Sequence, residues 1–162
     1  MVPSIYAFNP MSAADLPLVR RWLETPHVAR WWPDAERQIS NIRRHLGETN
    51  IELFLVHADR RPLGYLQCYD VPAGGQPFPD QPPGSRGIDQ FIGEQDLVGC
   101  GHGSAFIRLF VDRLFETGIP RVMTDPDPAN RRAVRAYEKA GFNADRLVDT
   151  PHGRTLLMVR NP

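Results

Sequence analysis

The chain has 162 residues, and its 19 Lys and Arg balance its 19 Asp and Glu, so the formal net charge is zero. That length suits one domain with a sizeable core, and the charge balance argues against a protein built to coat nucleic acid. No apolar run reaches the roughly 20 residues that span a membrane, and Cys68 and Cys100 form no metal or redox spacing. The N-terminus, "MVPSIYAFNPMSAADLP", lacks a basic segment followed by an apolar one, so no secretory leader is expected and a reduced, cytoplasmic setting is the default.

Taken in chain order, "SIYAF" reads as a short strand. "SAADLPLVRRWLE" carries apolar residues at Leu16, Val19, Trp22 and Leu23 behind a candidate cap, Ser12, which is helical spacing. "DAERQISNIRRHLG" is a more polar helix stopped at Gly47, and "IELFLVHA" and "PLGYLQCYDV" are strands joined by a tight "DRR" connection. "PAGGQPFPDQPPG", with Pro72, Pro77, Pro79, Pro82 and Pro83, is neither helix nor central strand. A long surface loop beside a site is favoured over a linker, because too little chain flanks it for two cores.

"SRGIDQFIG" is a further strand, and it leads into "DLVGCGHGSAF". Beyond that loop, Phe106, Ile107, Phe110, Val111 and Leu114 mark one face of a helix. "RVMTD" is a strand and "NRRAVRAYEKAG" a helix capped by Asn130 and stopped by Gly141. "ADRLVD" and "TLLMVR" close the chain as strands, with a turn at "PHG". The pattern is a mixed α/β domain, expected to be a single one over 1–162.

The glycine loop is neither a Walker loop, which ends in Gly-Lys-Ser/Thr, nor the dinucleotide fingerprint with its Gly-x-Gly-x-x-Gly spacing. Gly99, Gly101 and Gly103 nevertheless let backbone N–H groups approach a ligand, and the helix that follows offers unpaired N–H groups and a positive dipole end. Ser104 adds a hydroxyl. The chemistry suits a phosphate; a plain glycine-rich turn from strand to helix fits the loop equally well by itself.

About thirty residues later Asn130 and Tyr137 stand seven apart, about 10 Å along a helix axis. Glycine loop, amphipathic helix, strand and then Asn-x6-Tyr-x3-Gly-Phe resemble the GNAT superfamily of acetyl-CoA-dependent N-acetyltransferases. The resemblance implies a mixed, bent sheet flanked by helices, and acetyl-CoA as co-substrate with no metal. It implies pyrophosphate held at Val98, Gly99, Gly101, Gly103 and Ser104, with Asn130 and Tyr137 also at the cofactor, and the strand at Phe91 and Ile92 along the pantetheine arm. Val98 departs from the usual Arg or Gln. "RGIDQFIGEQDLVGCGHG", "TDPDPANRRAVRAYEKAGF", "TPHG" and the pair Trp31-Trp32 are similar to the aminoglycoside 6′-N-acetyltransferases, with His152 where that subfamily has an aspartate.

Acyl transfer to an amine needs a base for the amine proton, donors for the carbonyl oxygen and a proton for the leaving thiolate. Asp89 is the candidate base, or else a strand-surface charge. Backbone N–H groups near Phe91 to Gly93 are the candidate oxyanion donors. Tyr137 is the candidate acid, or else a core aromatic. Asp125 binds an ammonium group or caps the turn "DPDPAN"; Asp80 is a further acidic candidate, and Trp32 is the candidate stacking residue for the acceptor. His152 is read as a turn residue, and Cys100 as a small loop residue without a neighbouring base. The expected function is acetyl-CoA-dependent acetylation of a small-molecule primary amine, foremost the 6′-amine of an aminoglycoside, by a monomer or homodimer. Another small amine, a siderophore precursor or peptide terminus, or a non-catalytic coenzyme A-binding module are the alternatives.

Overall fold

The computed structural model describes residues 4–162; residues 1–3, part of the segment read above for a leader, lie outside them. Seven strands form one mixed sheet: β1 (Tyr6–Pro10), β2 (Ile51–Ala58), β3 (Arg61–Asp70), β4 (Arg86–Ile92), β5 (Val122–Thr124), β6 (Asn143–Thr150) and β7 (Gly153–Arg160), hydrogen-bonded in the order β1-β2-β3-β4-β5-β7-β6. Five helices accompany them: α1 (Leu16–Leu23), α2 (Pro26–Ala29), α3 (Ala35–His45), α4 (His102–Glu116) and α5 (Arg131–Lys139). By its contacts the chain divides into two compact units, one running through Cys68 and including Gln90–Cys100, the other comprising Tyr69–Asp89 and Gly101–Pro162.

In the first unit β1 pairs antiparallel with β2, Tyr6 opposite Ala58 and Pro10 opposite Phe54. The "DRR" connection is a two-residue turn: Asp59 and Arg60 have φ of 49° and 72°, and a pair of left-handed residues matches the twist of a hairpin. Asp59 compensates by accepting the Ile5 N–H on its carboxylate at 2.8 Å. The expected helix at 12–24 is split. A short 3-10 turn at Ala13–Asp15, closed by the Ser12 N–H donating to the Asp15 carboxylate at 2.9 Å, precedes α1. The apolar spacing then acts as read: Leu16, Val19, Trp22 and Leu23 are buried. The core also takes Ile39 and Ile42 from α3 and Leu53, Leu55, Val56, Leu63, Tyr65 and Leu66 from β2 and β3.

In the second unit β4 runs parallel to β5, and β5–β7 and β7–β6 are antiparallel. Helix α4 buries Gly103, Phe106, Ile107, Phe110 and Val111, whereas α5 buries only Tyr137. The guanidinium of Arg108 on α4 donates to the Lys139 carbonyl at the end of α5. The proline-rich segment has no helix or strand, yet it is anchored: Phe78 packs with Val71, Met123 and Leu157, and the buried Ser85 donates its hydroxyl to the Pro82 carbonyl at 2.7 Å. It is a loop folded within this unit, as favoured over a linker. Strand "RVMTD" is shorter than expected, so Asp125 lies just past the end of β5.

Candidate active site

The glycine loop has the geometry its composition suggested. Gly99 and Gly101 have φ of 75° and 85°, a region that side chains rarely occupy, and a Cβ built on either meets nothing within 4 Å. Gly101 is the N-cap of α4, whose first turn is closed by the Ala105 N–H donating to the Gly101 carbonyl at 3.3 Å. The Ser104 hydroxyl donates to the same carbonyl, also at 3.3 Å. Open space lies over each of these glycines, and the start of the 15-residue α4 presents unpaired backbone donors and the positive end of a dipole, a setting that suits an anion. Gly103 differs: it sits inside the first turn of α4 and is buried. Cys100 is exposed, and its thiol faces the carbonyls of Asp96 and Val98 at 3.7 Å each, with no base among those contacts. The chain entering the loop is pinned by Arg21 on Glu94 at 3.0 Å and by a two-pronged Arg61–Asp96 pair at 2.9 and 2.8 Å. Arg61 holds the Asp96 carboxyl below the usual carboxylate range.

The acidic candidates separate into two groups. The β4–β5 ladder pairs Arg86 with Val122 and Gly87 with Met123. The Thr124 hydroxyl then donates to the Ile88 carbonyl at 2.9 Å, a side chain doing what a ladder amide would do. The next step of this register brings Asp89 and Asp125 together. Burial foremost, and the negative charge of Asp89 next, push the Asp125 carboxyl up to about 8. Asp80 is engaged differently: Arg146 donates to it at 2.6 Å and holds its carboxyl below the usual range.

The raised Asp125 value has a consequence for stability. The folded state keeps this proton up to about pH 8, while the unfolded chain releases it near the ordinary aspartate value of 3.8. Between those limits the folded state binds more protons, so stability falls as pH rises. We expect the ligand-free protein to lose several degrees in Tm between pH 5 and pH 8.5. Asp125→Asn should remove most of that slope and raise Tm at pH 8.5 by at least about 4 °C, as read by calorimetry. A variant with the wild-type slope would mean that the proton resides elsewhere.

Tyr137 is 3% exposed, its ring edge-on to Phe142 with centroids 5.4 Å apart. Asn130 caps α5, its side-chain oxygen accepting the Ala133 N–H at 3.3 Å. His152 is exposed in the β6–β7 turn, where its N–H donates to the Thr150 hydroxyl at 3.2 Å, as the turn reading expects.

The aromatic candidates form a cluster in the first unit. Half-buried Trp32 stands edge-on to Phe91 (5.2 Å) and Tyr65 (5.9 Å), and Tyr65 stacks on Phe91 at 5.3 Å. Trp31 instead lies under the Arg30 guanidinium at 4.9 Å. Gly64 permits this approach, because a Cβ there would sit 2.2 Å from the Phe91 carbonyl oxygen. One of the expected oxyanion donors is already engaged: the Gly93 N–H donates to the Leu63 carbonyl at 2.9 Å. No local pattern announces the bond from the His27 ring to the Ile92 carbonyl at 2.9 Å, which joins residues 65 apart. Among the described residues no cluster of three His, Cys, Asp or Glu is placed to hold a metal ion, and no helix is long and apolar enough to cross a membrane.

Comparison with known proteins shows the family and the fold. The model of the acetyltransferase (GNAT) domain family matches residues 12–150. The aminoglycoside N(6′)-acetyltransferase type 1 of Klebsiella pneumoniae is 31% identical over 160 residues, covering 93% of this chain and 80% of that protein. The crystal structure of the aminoglycoside acetyltransferase AAC(6′)-Ib in complex with coenzyme A and kanamycin superposes with a TM-score of 0.84 at 30% identity, covering 97% of this chain and 95% of that one. The N(6)-hydroxylysine O-acetyltransferase of Escherichia coli is 26% identical over 158 residues, 93% of this chain but 49% of that protein. The fold is the GNAT fold, and the chain belongs to the GNAT acetyltransferase family.

Proposed function

We propose that the chain, acting as one domain, transfers the acetyl group of acetyl-CoA directly to a primary amine, and that the preferred acceptor is the 6′-amine of an aminoglycoside. The observation that carries this is the Asp89–Asp125 pair, in which burial foremost and the charge of Asp89 next raise the Asp125 carboxyl to about 8. An acceptor bearing several ammonium groups brings positive charge to such an acidic pair. The names of the relatives at 30–31% identity point the same way.

Acetyl-CoA supplies an acetyl group activated as a thioester. In the proposed mechanism the backbone at Val98, Gly99 and Gly101 and the first turn of α4, with Gly103 and Ser104, hold its pyrophosphate. Asn130 supports the cofactor side by capping α5. The backbone N–H groups of Phe91 and Ile92 meet the negative charge that grows on the carbonyl oxygen. Asp125 anchors the acceptor, Asp89 takes the proton from the reacting amine, and Trp32 offers its exposed part to the sugar face. Tyr137 gives its proton to the departing thiolate. Asp80, neutralised by Arg146, contributes little to acceptor binding. We place the enzyme in the cytoplasm, where acetyl-CoA is available, and propose a monomer or homodimer.

Tyr137→Phe removes one hydroxyl and little volume. We expect kcat to fall while the Kd for acetyl-CoA, measured by calorimetry, stays within about twofold. An unchanged kcat, with chemistry limiting turnover, would return Tyr137 to a packing role.

The reading as a whole is tested by thiol release from acetyl-CoA across an amine panel: aminoglycosides, short polyamines, hydroxylamino acids and peptide termini. Signal with aminoglycosides supports it. Signal confined to hydroxylamino acids would move the acceptor toward that of the E. coli relative named above, and signal confined to polyamines or peptide termini would make it another small amine or a peptide terminus. Acetyl-CoA binding without any turnover would leave a coenzyme A-binding module.

A further inference from the structure

Helix α2 is a single turn, begun by Pro26 after Thr25, whose hydroxyl donates to the Trp22 carbonyl at 2.5 Å. That turn carries His27 to the last residue of β4. The His27 Nε2 lies 2.9 Å from the Ile92 carbonyl oxygen. A carbonyl only accepts, so the hydrogen must be on Nε2, and in the neutral ring Nδ1 is then a bare acceptor. That Nδ1 is buried and has no partner. An unsatisfied buried acceptor disfavours folding, and an apolar side chain of similar volume would avoid it. What the imidazole contributes in return is the bond at Nε2.

The bond closes a clamp on one peptide unit. The Ile92 carbonyl is held by His27, and the N–H of the same peptide, on Gly93, donates to the Leu63 carbonyl at 2.9 Å. The Glu94 N–H reaches that Leu63 oxygen as well, at 3.3 Å. Behind Gly93 stands the Trp22 indole, so close that a Cβ on Gly93 would lie 2.1 Å from its Cδ2. Five residues beyond His27, Trp32 packs on Phe91, the neighbour of Ile92. One short segment therefore grips both residues whose amides are the candidate oxyanion donors. With both ends of the Ile92–Gly93 peptide fixed, the plane cannot rotate, and rotation of that plane is what would re-aim the end of β4.

We propose that His27 is a positioning residue for acetyl transfer: its Nε2–H fixes the Ile92–Gly93 peptide and so anchors the end of the strand that carries the candidate Phe91 and Ile92 amides, which lie in the two preceding peptides. This rests on the acetyl-transfer reading above. Donors preorganised for the transition state raise kcat without tightening ground-state binding. Losing the clamp therefore lowers kcat and leaves acetyl-CoA affinity in place, whereas general loosening of the fold weakens both.

The test compares His27→Gln, whose amide N–H is able to replace the Nε2 donor, with His27→Leu, which keeps bulk and donates nothing. Rates are normalised to the fraction of protein that binds acetyl-CoA by calorimetry. His27→Leu should lose at least about tenfold in kcat with the acetyl-CoA Kd within about threefold, and His27→Gln should recover most of the rate. Wild-type kcat in His27→Leu, or parallel loss of kcat and affinity without rescue by Gln, would overturn the assignment. Nitrogen NMR of the wild-type ring is a readout that needs no variant: it should show Nε2 protonated and Nδ1 bare, and the opposite tautomer would overturn the proposal. A wild-type enzyme that released no thiol with any amine would instead overturn the acetyl-transfer reading, and this role with it.

Discussion

Asp89→Asn should lower kcat by roughly 10²- to 10⁴-fold, the span expected when a general base is lost. The substitution keeps the shape of the side chain. It also removes the neighbouring charge that helps to hold the Asp125 carboxyl high, so Asp125 should ionise more readily in the variant. Acceptor anchoring is thereby preserved while proton removal fails, and the KM for the amine should change far less than kcat. The deficit should shrink at high pH, where more of the amine is already free. If instead KM rises and kcat holds, Asp89 serves to anchor the ammonium and the base is another group. Initial rates from pH 6 to pH 9.5 with saturating acetyl-CoA distinguish the two.

Gly101→Val should abolish measurable acetyl-CoA binding. Valine at a φ of 85° is strained, and its branched side chain would fill the open space over the loop where we place the pyrophosphate. Strain alone must be separated from loss of the site, and Gly118 provides the control. It follows α4 with a φ of 92° and nothing within 4 Å of a built Cβ. Gly118→Val should cost comparable stability yet bind acetyl-CoA normally by calorimetry. If Gly101→Val also binds normally, the loop is only a connection and the pyrophosphate lies elsewhere.

These two residues illustrate what was legible in the chain. Gly101 is legible because a left-handed helix cap restricts the residue type within a short segment. The strands β2, β6 and β7 and the buried faces of α1 and α4 were legible for the same reason, since their periodicity is local. Helix α2 was missed: four residues are too few to show a period. The pairing of Asp89 with Asp125 depends on a parallel register between strands distant in sequence, and nothing near either residue announces it. Charge alone groups Asp80 with them, but its partner Arg146 stands 66 positions away and leaves no local sign. His27 and Ile92 are separated almost as widely. Local chemistry shows in the glycine loop; long-range register sets the electrostatics of the Asp89–Asp125 pair.

The most direct test is the position of the new acetyl group. Two aminoglycosides that differ only in carrying a 6′-amine or a 6′-hydroxyl are incubated with the enzyme and acetyl-CoA, and the products are assigned by NMR. The account predicts one acetyl group, on the 6′-nitrogen of the first compound, and no nitrogen-acetylated product from the second. Acetylation of both compounds on a shared ring amine, or of neither while a different amine is readily acetylated, would contradict it.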